Sequence, residues 1–179
     1  MKDNASAMEI DLGRVEDRST FSFDRTFDLP TPEGGVASCI VAVTAGVTKS
    51  ESRHTIETRV KAQVRADCHR CLAPFAMPVE VNFDIVLGRG EGVLPPEGVE
   101  EDDFVAIPAL GEARYDIVPR VREALILEIP IKLLCREDCK GACAKCGANL
   151  NEGDCGCGPV PGDPRWGALR NFLNGESKT

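Results

Sequence analysis

Eight of the nine cysteines in this 179-residue chain fall into short-spaced groups, and thiolates are the side chains here with the most chemistry available to them. Cys68-His69-Arg70-Cys71 is a pair separated by two residues; Cys135, Cys139, Cys143, Cys146, Cys155 and Cys157 follow close together further along. Two thiolates so spaced can reach one tetrahedral ion at about 2.3 Å from each sulfur, while the backbone N–H groups between them hydrogen-bond the sulfurs. Gly147, directly after Cys146, suits the tight turn of such a knuckle. The ion expected from this donor set is Zn2+, one or two per chain. Eight thiols fill two four-coordinate sites if Cys143, Cys146, Cys155 and Cys157 surround one ion and Cys68, Cys71, Cys135 and Cys139 the other. One site with spare cysteines, or one that recruits His69, satisfies the same spacings.

The compartment bears on this choice. Met1-Lys2-Asp3-Asn4-Ala5-Ser6 leads into mixed polar sequence rather than an apolar leader, and no apolar run approaches the roughly 18 residues of a membrane span. The expectation is a cytoplasmic protein without a membrane segment. Disulfides are rare in a reducing cytosol, and an odd cysteine count fits a fully paired framework poorly. The bland alternative is a set of buried or free thiols, and for Cys39, inside an apolar stretch, that is the reading adopted. Cys139-x3-Cys143-x2-Cys146 formally matches the cluster-binding spacing of radical-SAM enzymes, but it lies near the C-terminus of a short chain, with Lys145 before the last Cys. A thioredoxin-type pair requires a βαβ setting, which Cys68 and Cys71 lack. With only His54 and His69 available, no nucleophile–base system stands out, and neither a P-loop nor a Gly-x-Gly-x-x-Gly motif is present. A non-catalytic protein is expected.

The formal net charge is −8, which argues against indiscriminate nucleic-acid binding. Its distribution is uneven. Between Arg53 and Pro74, Arg53, Arg59, Lys61, Arg65 and Arg70 face only Glu57 and Asp67, whereas from Gly88 to Asp116 eight acids outnumber two arginines. Arg59, Lys61, Gln63, Arg65 and Arg70 are therefore the candidate RNA-contacting residues, with ordinary polarity of an exposed strand face as the alternative. The acids from Glu97 to Asp103 read first as a solvated loop and secondarily as a site for a basic protein.

These side chains must be positioned by a mostly β-chain. From His54 to Cys68 apolar and polar residues alternate cleanly, predicting a strand with one buried face; Val79, Val81, Phe83, Ile85 and Leu87 repeat the pattern. The two make an antiparallel hairpin with the Cys68–Cys71 pair at its tip. Phe21, Phe23, Phe27 and Leu29 alternate, with Arg25 interrupting. The segment from Pro30 to Gly35 reads as a turn, Val36–Val47 as a largely buried strand and Gly88–Asp103 as a mobile loop. Asp116 is placed to cap a helix with Pro119 in its first turn, Pro130 beyond its end, and Ile117, Val121, Ala124, Leu125 and Leu127 as its apolar side. A second short helix is expected from Asp163-Pro164, using Trp166, Leu169, Phe172 and Leu173. The expected architecture is α+β: a mainly antiparallel β-domain over 1–134, barrel- or sandwich-like, with one packed helix near 116–128. A cysteine-rich zinc segment over 135–158 and a short helical tail over 159–179 follow.

Cys68-His-Arg-Cys-Leu72, the Asp116-led helix with Glu123, Leu127-Glu-Ile-Pro130, the run Leu134–Asn151, Cys155-Gly-Cys157 and Asp163-Pro-Arg-Trp166 together resemble the YceD family, in its cysteine-rich branch. The resemblance covers roughly residues 55–170. Ala142 and Ala144 stand where Leu and Pro are common in the family, which leaves the cysteine spacing intact. It implies a non-catalytic factor supporting accumulation of large-subunit ribosomal RNA, with precursor rRNA, a ribosomal protein or both as partners. Some members lack the C-terminal cysteines, so the metal is expected to be structural.

Overall fold

The computed structural model describes residues 8–31, 35–51, 53–90, 94–107, 113–158 and 164–166. Among them the elements run β1 (Glu9–Asp11), β2 (Arg18–Pro30), β3 (Val36–Ser50), β4 (Arg53–Asp67), β5 (Pro74–Arg89), β6 (Phe104–Ile107), β7 (Arg114–Asp116) and α1 (Val118–Glu128). Strands β2 to β5 form an antiparallel meander, and β6 adds in parallel to the end of β5, giving the order β2-β3-β4-β5-β6. β1 and β7 pair separately, Ile10 opposite Tyr115.

The fold is thus mainly antiparallel β with one helix, as the sequence predicts, but the sheet does not close into a barrel. Closure requires its two edges to pair, whereas among the described residues β2 pairs only with β3 and β6 only with β5. Instead α1 packs against both β5 and β2. Arg122 of the helix reaches over the Phe27 ring and donates to the Asp28 carbonyl.

Period-two patterning explains the layering. Even positions of β4 from His54 to Val64 are buried, and Glu57, Arg59, Lys61, Gln63 and Arg65 face outward. In β3 the alternation is as strict: Val41, Val43 and Val47 are buried, while Val36 and Ile40 are 71% and 47% exposed. The strand expected to be largely buried is therefore buried on one face only, because α1 and the N-terminal segment cover a single side of the sheet. Cys39 is fully buried, and burial pushes its thiol up to about 11, as suits a small apolar filler. In β2, Phe27 and Leu29 are buried, Phe21 and Phe23 partly so, and Arg25 shares their face.

The helix is held from ahead of its first turn. The cap position itself is Ile117, without a side-chain cap. Asp116 Oδ1, one residue earlier, accepts from the N–H groups of Val118 (3.0 Å) and Met8 (3.2 Å), so one carboxylate both meets the first helical N–H of α1 and anchors the strand pair beside it. Val118, Val121 and Leu125 are buried on one face. Leu127, expected with them, is 80% exposed: two residues beyond Leu125 lies about 200° further round the helix. The expected loop from Gly88 to Asp103 is partly structured. β5 runs on to Arg89, and a 3-10 turn at Glu101–Asp103 leads into β6, where Asp103 meets Arg120 at 2.9 Å. Residues 32–34 of the expected turn and 91–93 of this loop lie outside the described residues. Of the expected tail helix, Pro164–Trp166 form a 3-10 turn; Leu169, Phe172 and Leu173 lie outside the described residues.

Ile56 and Ile85 face each other across β4 and β5, both fully buried. Ile85→Ala is expected to cost about 2–5 kcal/mol of stability, read as a lower urea midpoint at unchanged slope.

Candidate metal centres

The β4–β5 hairpin tip is a compact knuckle. Cys68 N–H donates to the Ala73 carbonyl (2.9 Å) and Leu72 N–H to that of Cys68 (2.8 Å), with Leu72 in the left-handed region at φ 59°. The chain leaving α1 returns to this tip: His69 N–H donates to the Leu133 carbonyl at 2.8 Å, and Leu133 N–H donates to His69 Nδ1 at 3.3 Å. His69 is thereby a clamp on Leu133, and the cage beside it consists of four thiols. Cys68, Cys71, Cys135 and Cys139 have sulfurs within 4.8 Å of one another. The Cys68–Cys139 and Cys71–Cys135 separations are both 3.8 Å. A tetrahedron with metal–sulfur bonds of about 2.3 Å has edges of about 3.8 Å, so the cage has the dimensions of a single four-thiolate ion. An iron–sulfide core between the sulfurs would hold them further apart.

The electrostatics point the same way. Burial pushes the Cys68 thiol up, but the N–H groups of Cys71, Cys135 and Arg70 outweigh it and bring it down to about 6. The Asn151 amide lowers Cys139. Burial, then the Cys139, Cys68 and Cys71 thiols, push Cys135 up to about 12. At Cys71 the Ala73 N–H lowers the thiol, and burial with the Cys68 and Cys139 thiols outweighs it, leaving it raised. Four crowded thiols cannot all ionise unaided; a divalent cation removes that conflict.

A second cage follows along the chain. Cys143, Cys146, Cys155 and Cys157 also hold their sulfurs within 4.8 Å of one another. Cys143-Ala-Lys-Cys146-Gly147 turns as a knuckle: Lys145 N–H points at Cys143 Sγ (3.4 Å), and Gly147, at φ 74°, donates to the Cys143 carbonyl (2.8 Å). The N–H groups of Cys146 and Lys145, then the Cys155 thiol, lower Cys143 to about 6. The Cys146 and Cys155 thiols, then burial, push Cys157 up to about 12. This distal cage is more open than the proximal one, with Cys146 exposed. The eight thiols thus gather in the two groups that spacing suggested. Cys139 is separated from Cys143 and Cys146, so the radical-SAM-like triad is divided between two cages.

The remaining candidates lie elsewhere. Arg59, Lys61, Gln63 and Arg65 are exposed in a row on the outer sheet face. Sheet pairing brings carboxylates to the same face: Lys61 meets Glu80 at 3.4 Å, and Asp24, Asp28, Glu57, Asp67 and Asp84 share it. By register, six carboxylates there face five cations, Arg18 and Arg53 included. Arg70 stands apart from the row. Its Nη1 donates to the carbonyls of Glu137 (3.2 Å) and Cys139 (3.1 Å), clamping the cysteine-rich segment to the hairpin tip. Sequence reasoning missed Asn149 and Asn151, whose amides build the segment between the cages. The only signal was their spacing of two in the Asn-Leu-Asn run after the knuckle. No helix among the described residues is long and apolar enough to cross a membrane.

A chloroplastic large ribosomal RNA subunit accumulation protein YCED homolog of Arabidopsis thaliana is 30% identical over 74% of this chain and 48% of its own length. Its Zea mays counterpart is 26% identical over 66% and 49%. The chain spans about half the length of these plant relatives. An uncharacterised protein of Mycobacterium tuberculosis is 27% identical over 98% of this chain and 86% of its own. No solved structure matches. The family model described as large ribosomal RNA subunit accumulation protein YceD matches residues 56–173, from the start of β4 through both cysteine cages, and the chain belongs to that family.

Proposed function

We propose that this protein is a non-catalytic, zinc-scaffolded factor that supports accumulation of large-subunit ribosomal RNA in the cytoplasm by binding precursor rRNA, a ribosomal protein, or both. One observation carries the reading: the family match runs through β4, the hairpin tip and both cages, so the part of the molecule most rich in chemistry is the part shared with the rRNA-accumulation family.

The cages themselves favour scaffold over catalysis. Four thiols fill all four positions of a tetrahedral ion, whereas a catalytic zinc keeps one open for water or substrate. An all-sulfur tetrahedral set suits zinc or iron. The single-ion dimensions argue against an iron–sulfide cluster, and zinc, the common occupant of closed structural four-cysteine sites, is the ion proposed. In the proximal cage the ion would join the hairpin tip to the segment after α1, fixing Arg70 and the cysteine-rich region relative to the outer face of β4.

For RNA contact, Arg59 and Arg65 are the best-placed phosphate partners. Arg59 has Thr44 and Asn82 as its strand neighbours, and Arg65 has Ser38 and Ala76, all uncharged. Lys61 is engaged with Glu80, and Gln63 adds a neutral donor between them. A second reading, an adaptor for a basic ribosomal protein without direct RNA contact, is favoured by the excess of carboxylates on this face.

Two measurements test these readings. Anaerobically purified protein is expected to carry about two zinc per chain with no visible absorption, and Cys155→Ser to retain one; iron with a visible charge-transfer band would overturn the scaffold assignment. Arg59→Glu, Lys61→Glu and Arg65→Glu combined are expected to weaken association with large-subunit rRNA fragments and reduce the log–log salt dependence by about two to three. Unchanged RNA affinity with lost retention of a basic ribosomal protein would favour the adaptor.

A further inference from the structure

The segment from Cys139 to Asn151 begins as a ligand of the proximal cage, crosses to the distal one and folds back. Lys140 N–H donates to Asn151 Oδ1 at 2.8 Å, and Leu150 N–H donates to the Gly141 carbonyl at 2.9 Å. Ala142 bridges to Asn149, and Cys143 N–H donates to the Ala148 carbonyl at 2.8 Å. A two-stranded reversal therefore carries the Cys143–Cys146 knuckle at its far end. Its base rests on the hairpin tip, where Ala142 N–H donates to the Arg70 carbonyl at 2.8 Å. Gly141 beside it has φ 82°, and a Cβ there would stand 3.2 Å from the same oxygen, so the approach is as close as a residue without a side chain permits.

Asn151 closes the reversal from the other strand. Its Nδ2 donates to Cys139 Sγ at 3.3 Å and to Asn149 Oδ1 at 2.7 Å, and its N–H donates to Asn149 Oδ1 at 3.1 Å. A residue that supplies no ligand to either cage thus hydrogen-bonds a proximal thiolate while bracing the loop that presents the distal thiols.

From this we infer that the two cages are one thermodynamic unit, with Asn151 as the positioning residue that couples them. The inference rests on the reading that the cages hold metal. Loading the distal cage fixes the Asn149–Cys155 stretch and so holds the Asn151 amide on Cys139. Loading the proximal cage fixes Cys139 and the Gly141–Arg70 contact, and so sets the reversal on which Cys143 and Cys146 sit. Reciprocity requires each ion to raise the affinity for the other by the same factor, and coupling between sites commonly amounts to about 5–150-fold. Outer-shell partners of metal ligands alone affect affinity by about 10–100-fold.

A double-mutant cycle read site by site tests this on the full chain. Protein reconstituted with Cd2+ gives a separate cadmium NMR resonance for each cage, assigned with Cys71→Ser and Cys155→Ser, and chelator competition followed at each resonance gives the two affinities. Cys155→Ser is expected to weaken the proximal cage at least about five-fold although it removes no proximal ligand. In an Asn151→Ala background Cys155→Ser is expected to have no further effect on the proximal cage. Asn151→Asp keeps the acceptor for Lys140 N–H but sets a carboxylate against the thiolates, and is expected to weaken the proximal cage most. Urea unfolding of the sheet shows that each variant is folded. Proximal affinity unchanged by Cys155→Ser, or effects of Cys155→Ser and Asn151→Ala that multiply, would overturn the coupling while leaving two metal sites in place. Absence of any four-sulfur cadmium resonance in the unsubstituted protein would instead remove the metal sites, and the coupling with them.

Discussion

The constraint on which the rest of this molecule depends is that four sulfurs from two distant segments share one tetrahedron. Cys68 and Cys71 come from a hairpin tip and Cys135 and Cys139 from the chain beyond α1, and no β-ladder among the described residues joins these two regions. The local contacts are modest: the reciprocal His69–Leu133 hydrogen bonds, the Arg70 clamp on two carbonyls, the Ala142 N–H on the Arg70 carbonyl and the Cys135 N–H on Cys68 Sγ. Net hydrogen-bond contributions of about 1 kcal/mol each are small beside the roughly 10–16 kcal/mol measured for structural zinc in small domains. With zinc bound as proposed, the cage would outweigh the peptide contacts in deciding where the cysteine-rich segment sits.

The sheet below serves as the rigid mount. Strands of 13–16 residues with strict alternation leave little freedom of register, because a one-residue slip would exchange the buried and exposed faces of the whole strand. Asp116 performs a comparable economy at the other end, one carboxylate oxygen receiving both the first helical N–H and the N–H of Met8. The hairpin tip and α1 are thus carried on one frame, and the connecting segment runs between them.

What could be read from the sequence follows the range of the interactions. The alternation in β4 and β5 was legible because each strand reports its own buried face at every second residue. β1, β6 and β7 were not: three- and four-residue strands have no period to read, and Glu9–Asp11 exists as a strand through Arg114–Asp116, about a hundred residues away. The cysteine groups were legible from spacing, since thiolate pairs on one knuckle must lie close in sequence. The reach of Asn151 to Cys139 was hidden, because it depends on a chain reversal whose partners are backbone groups. The basic row on β4 was legible, but the carboxylates that share its face were not, since Asp24, Asp28, Glu80 and Asp84 arrive from other strands. Leu127 was misplaced for a simpler reason: an apolar residue near a helix end invites assignment to the core, whereas helical angle places it outside.

The proximal cage also fixes a sequence of events at birth. Cys71 and Cys135 are separated by 64 positions, so a ribosome synthesising about 5–20 residues per second produces the first pair roughly 3–13 s before its partners. Within that interval, once Arg89 has been added, β4 and β5 are both made, and the hairpin tip carries two of the four thiols of the cage. At that stage the hairpin tip offers two sulfurs at most. Only with Cys135 and Cys139 do four sulfurs come within 4.8 Å of one another, so a four-thiolate set is completed after the long strands of the sheet have been made.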